Sequence, residues 1–340
     1  MKLSKQIKSL DRRFASYRQR STLLNKLYNH VLGINVTHSF HNEEKKNELM
    51  EEAKIALDVL LSPTESKSNL TEIPKIIWMF WDSGFDNAPE VVKLSVKSWQ
   101  KMNPDYEVKL LTDESLKELL GFDFNAIFQL SSVHCLPAIK ADLIRLYLLS
   151  KYGGIWADAT TFCLKPLSKW LDTANKCCNL LTFKHKNNPS RPVEVWFIAS
   201  PRSASVINNT LIQLVSYIFA EREYTLFISG KVSLLNKVFI DYNAPQDVKT
   251  MERAELLGFM PYFSTGYSIY SSMESINPIE LNEYLNSCDR NASQNRYALT
   301  NDTFEVYQHA LVSKQTYINS YLSSDVYKSR RDFLLNKLNA

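Results

Sequence analysis

In the run Ala141-Asp142-Leu143-Ile144-Arg145-Leu146-Tyr147-Leu148-Leu149-Ser150-Lys151-Tyr152-Gly153-Gly154-Ile155-Trp156-Ala157-Asp158-Ala159-Thr160, an acid and an arginine are followed, past two glycines, by a second acid. On a helix, residues three apart share a side, so Asp142 and Arg145 form one polar edge while their apolar neighbours face a core. Gly153-Gly154 can turn the chain sharply into a short strand. Asp158 then falls at the strand's end, where α/β folds bind ligands. Helix edge and strand end can therefore line one crevice. A carboxylate there can hold Mg²⁺ or Mn²⁺, which suit oxygen sites of one or two carboxylates completed by phosphate and water. Such a cation stabilises a diphosphate leaving group as its charge grows, which is what transfer of a sugar from a nucleotide sugar demands. Asp158 is the expected metal ligand. Asp142 would accept hydrogen bonds from ribose or sugar hydroxyls, and Arg145 offers a planar fork of donors to a carboxylate or to developing charge. Taken singly, an Asp after a strand and an Asp–Arg pair on a helix are common surface features; only the joint pattern points to chemistry.

The surrounding chain supplies the elements to position these groups. From Ile73, short apolar runs alternate with helices, which is the grammar of an α/β fold. Strands are expected at Lys75–Trp81, Tyr106–Leu111, Ile155–Ala157, Asn179–Phe183 and Glu194–Ala199. Helices are expected at Pro89–Lys101, from Thr112 or Asp113 to Leu120, from Pro137 to Lys151, and at Ala204–Phe219. Upstream, Leu3, Ile7, Leu10, Phe14, Tyr17, Leu24, Tyr28 and Val31 follow steps of three and four, the stripe of a long amphipathic helix. A second helix is expected over Asn42–Leu61. The polar run Ser62-Pro63-Thr64-Glu65-Ser66-Lys67-Ser68 breaks the pattern, so residues 1–70 read as a helical N-terminal arm and 71–340 as the α/β domain.

The chain of 340 residues is 45% hydrophobic and 22% charged, enough apolar material for a large core. A net charge of +4 is small for a nucleic-acid binder. That charge is concentrated: between Met1 and Tyr28 stand Lys2, Lys5, Lys8, Arg12, Arg13, Arg18, Arg20 and Lys26 against the single acid Asp11. An apolar stripe on a basic helix suits an anionic membrane surface, and equally suits packing on a partner or on its own domain. Five cysteines without a C-x-x-C pair argue against a disulfide framework and for a reducing compartment. No signal-peptide core and no run of about 20 apolar residues is present, so a cytoplasmic protein, peripheral at most, is expected. Neither a P-loop nor a G-x-G-x-x-G turn occurs, which removes the usual phosphate-cradle and dinucleotide readings.

The acid-x-x-Arg helix, the Tyr-Gly-Gly-Ile turn and the Asp at the strand end resemble the DXD-containing, family 32-like sugar-binding glycosyltransferases, and among them the capsular polysaccharide synthesis proteins. These are relatives of the yeast α-mannosyltransferases and the clostridial glucosylating toxins. Ile73-Pro74-Lys75-Ile76-Ile77-Trp78-Met79-Phe80-Trp81 is similar to the family's opening strand. Lys165-Pro166-Leu167 and Trp196-Phe197-Ile198-Ala199 continue the likeness. The resemblance implies a GT-A fold, a nucleotide-diphosphate sugar donor, a glycan or lipid-linked glycan acceptor, Mn²⁺ or Mg²⁺, and retention of configuration. It places Trp78 and Trp81 against the base, and Asp142, Arg145 and Gly154 at the donor. The second acid of D-x-D is Thr160 here, a poorer ligand. His309-Ala310-Leu311-Val312-Ser313-Lys314 is similar to a late motif in which His309 completes the metal site and Lys314 faces the diphosphate; a partly buried His and a surface Lys are the plain alternative. For each tryptophan, core packing is the competing role, and Trp81 is favoured for stacking because it stands at the strand end. Two rival functions stand beside transfer to a surface glycan: an inactive nucleotide-sugar-binding scaffold, and a toxin-like protein glycosyltransferase.

Overall fold

The computed structural model describes residues 23–24, 27, 43–62, 72–128, 131, 133–134, 137–171, 178–183, 193–220, 222, 226–229, 248–255, 259–287, 292–294 and 303–339. Of the amphipathic stripe over residues 3–31 only Leu24 lies among them; it and its neighbours Leu23 and Leu27 are helical and exposed. Helix α1 (Glu43–Leu61) is the second expected helix. Among the described residues no helix is long and apolar enough to cross a membrane.

Strand β1 (Ile76–Phe80) is buried over its last four residues, as a strand covered on both faces must be. Helix α2 (Glu90–Met102) begins after Pro89 and buries Val91, Val92, Leu94, Val96 and Trp99. It returns the chain to β2 (Glu107–Leu111), parallel to β1 with Phe80 opposite Leu111. Helix α3 (Asp113–Leu120) starts on a reciprocal cap: Thr112 Oγ1 accepts from Ser115 N, while Thr112 N donates to Ser115 Oγ. It ends at Gly121 in the left-handed region, where glycine carries no steric cost.

After α4 (Phe124–Phe128) and β3 (Val133–His134), helix α5 (Pro137–Tyr152) leads through the two glycines into β4 (Gly154–Ala157), which is wholly buried beside β1. Strand β5 (Thr161–Cys163) follows at once. Strand β6 (Phe197–Ser200) pairs antiparallel with β4, Trp156 opposite Ile198. The central sheet therefore runs β2-β1-β4-β6, parallel except at that edge.

Two strand expectations are corrected. Asn179–Phe183 forms no strand; Cys178 and Asn179 have φ of 54° and 59°, and Leu181 makes an isolated bridge to Ala199. Strand β6 starts at Phe197 and not at Glu194: Asp158 N still donates to Trp196 O in the register of the β4 ladder, but the Val195 carbonyl is taken by Arg145.

Helix α6 (Ser205–Ile218) packs on α5. Then come β7 (Leu226–Ser229), α7 (Val248–Glu255), β8 (Phe259–Pro261), α8 (Ser264–Ile276) and α9 (Pro278–Ser287). The last elements are β9 (Ala292–Gln294), α10 (Phe304–His309), β10 (Val312–Lys314), α11 (Asn319–Leu322) and α12 (Asp325–Asn339). Two small sheets flank the main one, β3-β7-β8 and β5-β10-β9. Helix α1 packs against α4 and α6 and buries Leu49, Ala53, Ala56 and Leu60 in the common core. Residues 43–61 thus pack into the same core as the sheet.

Candidate active site

Asp158 follows the last residue of β4, and its amide donates to Trp196 O at 2.9 Å. Its carboxylate is held at both ends. Oδ1 accepts from Trp156 Nε1 at 2.8 Å and lies 3.3 Å from an Arg145 Nη; Oδ2 lies 2.5 Å from Lys314 Nζ. Lys314 arrives because β10 runs antiparallel to β5 with Lys314 opposite Thr161, a register fixed further by Gln315 N donating to Thr160 O at 2.7 Å. The same ammonium donates to Thr160 Oγ1 at 2.9 Å. Burial works to raise the Asp158 carboxyl. The Lys314 ammonium, then the Arg145 guanidinium and the hydrogen bonds from Lys314 and Trp156, outweigh it and hold Asp158 below the ordinary carboxylate value.

Arg145 is pinned on every side. One Nη is 2.9 Å from Asp142 Oδ1, the other donates to Val195 O, Nε donates to Ala141 O at 3.4 Å, and the guanidinium lies 5.0 Å from the Trp156 ring centroid. The remaining Asp142 oxygen accepts from the Thr265 hydroxyl at 2.8 Å, which ties the start of α8 to α5. Burial pushes the Asp142 carboxyl up to about 6, against the downward pull of Arg145 and Thr265.

These groups line a cleft of about 310 Å³ at the C-terminal ends of β1 and β4, together with Trp81, Glu194, Tyr262 and Tyr317. Of the expected residues, Asp142, Arg145, Asp158, Thr160, Lys314 and Trp81 come together there. Three do not. Trp78 is 2% exposed, and its indole donates to Gly153 O at 2.9 Å, so it is a core residue and not a base-stacking one. Gly154 is buried under β1: a Cβ would stand 2.7 Å from Ile76 O, so the glycine serves close strand packing and does not meet the cleft. His309 is exposed at the end of α10 and does not line the cleft.

The sequence reading missed Tyr262, Phe263, Thr265, Glu194 and Tyr317. Tyr317 had one available signal, its place just after Lys314, and its ring meets Trp81 edge-on at 5.4 Å between centroids. Thr265 had none, because the packing of α8 on α6 decides where it lands.

Asp158 Oδ2 and Thr160 Oγ1 converge on one point, the one that Lys314 Nζ contacts. One carboxylate and one hydroxyl fit a Mn²⁺ or Mg²⁺ that takes its other ligands from phosphate and water. Among the described residues no group of three or more His, Cys, Asp or Glu could hold a metal by itself.

A family model described as capsular polysaccharide synthesis protein matches residues 29–338. The chain is 29% identical over 147 residues to the initiation-specific alpha-1,6-mannosyltransferase of Saccharomyces cerevisiae, covering 42% of this chain and 30% of that one. It is 34% identical over 99 residues to inositol phosphoceramide mannosyltransferase 3 of Schizosaccharomyces pombe, covering 29% and 27%. The matched segments thus span less than a third of either yeast protein. A solved structure titled PaToxG Glycosyltransferase aligns with a TM-score of 0.36 at 17% identity, covering 72% of this chain and 86% of that one.

Proposed function

The chain belongs to the capsular polysaccharide synthesis protein family, and from that premise we propose that it is a glycosyltransferase of GT-A type. It moves a sugar from a nucleotide-diphosphate donor to a glycan or lipid-linked glycan acceptor. The observation that carries this reading is the convergence of Asp158, Thr160, Lys314 and the Asp142–Arg145 pair on one cleft at the C-terminal strand ends. The yeast relatives, both named mannosyltransferases, support the reaction class.

In this reading Trp81 stacks on the base and the diphosphate lies toward Lys314. A bound Mn²⁺ or Mg²⁺ would supply positive charge to the leaving diphosphate, held by Asp158 and Thr160. Arg145, already engaged with Asp142, Asp158 and two carbonyls, orients the Asp158 carboxylate. Asp142 positions Arg145. The donor's own phosphate takes the acceptor proton in a front-face, retaining transfer. The basic segment 1–31 holds the enzyme at an anionic membrane where a lipid-linked acceptor resides.

A panel of nucleotide sugars assayed for released nucleoside diphosphate, with Mn²⁺ and with EDTA, tests the proposal. Release from at least one donor, lost on Asp158→Asn, is expected. Donor binding without release from any donor would instead favour the inactive scaffold, for which Thr160 in place of an acid is the motivating observation.

A further inference from the structure

Lys314 occupies the place where the two oxygen ligands of the D-x-T segment converge: its Nζ is 2.5 Å from Asp158 Oδ2 and 2.9 Å from Thr160 Oγ1. An ammonium and a divalent cation cannot share that point, because their like charges repel at contact distance. We propose that Lys314 is a latch on the cation position, held on Asp158 and Thr160 until a nucleoside diphosphate draws its ammonium onto phosphate oxygens. The first half of this proposal rests on the Lys314 contacts and on the cation reading of Asp158 and Thr160, and the second rests on the nucleotide-sugar reading of the cleft.

The backbone does not have to move. Lys314 is fixed in β10 opposite Thr161, and Gln315 N is bonded to Thr160 O, so the exchange takes place in a flexible four-carbon side chain with a compact charge at its tip. Arg145 cannot serve as the movable partner, since Asp142, Asp158, Val195 O and Ala141 O hold it together. It keeps Asp158 Oδ1 in place when Oδ2 is released. The cleft wall carries Asp82, Asp142, Asp158 and Glu194 against Arg145 and Lys314. When Lys314 swings away, a local excess of negative charge remains at Asp158, which favours the incoming cation. Nucleotide and cation binding are then positively coupled through one side chain, and by linkage each raises the affinity for the other.

The test uses the full chain, with Mn²⁺ alone followed by paramagnetic resonance of the free ion, and UDP or GDP alone in EDTA followed by calorimetry. Lys314→Met should bind Mn²⁺ about tenfold or more tighter than wild type and bind the nucleoside diphosphate several-fold more weakly. Lys314→Gln, neutral but still able to bond both oxygens, should fall between them, and it serves if the Met variant does not fold. Mn²⁺ affinity unchanged or lowered in folded variants overturns the latch. Absence of UDP and GDP binding to wild type, with or without Mn²⁺, overturns the nucleotide trigger together with the donor reading, separately from the comparison in Mn²⁺ alone.

Discussion

The Trp78 indole donates to Gly153 O at 2.9 Å, which fastens the middle of β1 to the turn that delivers β4. Trp81, just past the end of the same strand, lines the cleft with its ring edge-on to Tyr317, which is 55% exposed. Two tryptophans three residues apart thus have separable roles. Trp81→Ala should raise the donor KM about tenfold or more, since stacking of a base on an aromatic ring contributes roughly 1–3 kcal/mol. Trp78→Phe should lower the thermal midpoint by roughly 1–2 °C, the effect of about 1 kcal/mol from one buried hydrogen bond in a chain of this size, with KM unaltered. Kinetics and calorimetry on the two variants check this; reversed effects would move the base away from Trp81.

Asp158 sits between Arg145, Lys314 and Trp156 at the end of β4. Asp158→Asn keeps the shape and removes the charge. Turnover should fall on the order of 10²-fold or more, with the circular-dichroism spectrum retained. Turnover within a few-fold of wild type at saturating Mn²⁺ would remove Asp158 from the reaction.

Burial raises the Asp142 carboxyl from 3.8 to about 6, so the folded protein holds that proton more tightly than the unfolded chain does. Its contribution to stability therefore declines as pH rises from about 4 to about 6, and is level above. Asp158 acts in the opposite sense: held below its ordinary value, it stabilises the fold above the usual carboxylate range, and that contribution is lost as pH falls through its folded value. Urea midpoints measured from well below pH 3.8 up to about pH 7 should show the two opposed slopes, that of Asp158 at and below 3.8 and that of Asp142 above it, and Asp142→Asn should remove only the upper one. Parallel curves for variant and wild type would show that Asp142 is not displaced.

Gly154 has φ +100° and would place a Cβ 2.7 Å from Ile76 O, a backbone atom in the middle of the sheet. Gly84, at φ +83°, would meet nothing nearer than Thr112 Cγ2 at 3.9 Å. Gly84→Ala should cost about 1 kcal/mol from backbone strain alone. Gly154→Ala should cost about 3 kcal/mol or more, or prevent folding, because strand spacing must yield as well. Comparable thermal midpoints for the two would contradict the close approach of β1 and β4.

The alternation of strand and helix from Ile76 to Ala157 was legible because each boundary carries local chemistry: Pro89 before α2, the Thr112 cap, Gly121, and the Gly153-Gly154 turn. Asp142, Arg145 and Asp158 were legible for the same reason, since one helix and the next strand deliver all three. Lys314 was legible only through a short family-like motif. Trp78 was misjudged because a strand buried on both faces shows no alternation to tell a core ring from a cleft ring. Tyr262 and Thr265 left no trace in their own segment, where periodicity is weak, and tertiary packing sets their positions. The polar run at 62–68 signals a break in the chain but not where the helix before it packs, so the contact of α1 with α4 and α6 left no sign in the sequence.

The ion pair between Asp158 and Lys314 spans 156 positions of chain, and α12, which buries Arg330, Leu334 and Leu338, packs later still on α2, α10 and α11. During synthesis the ribosome delivers α5 and β4 long before it delivers β10. A nascent chain can thus assemble most of the sheet while its Asp158 carboxylate still lacks the ammonium it will face. Contacts of such long sequence separation form late, because their loop-closure entropy must be met first. Completion of the cleft therefore waits on translation of β10, and a polypeptide interrupted before it emerges with Asp158 and Arg145 in place and the Lys314 ammonium missing.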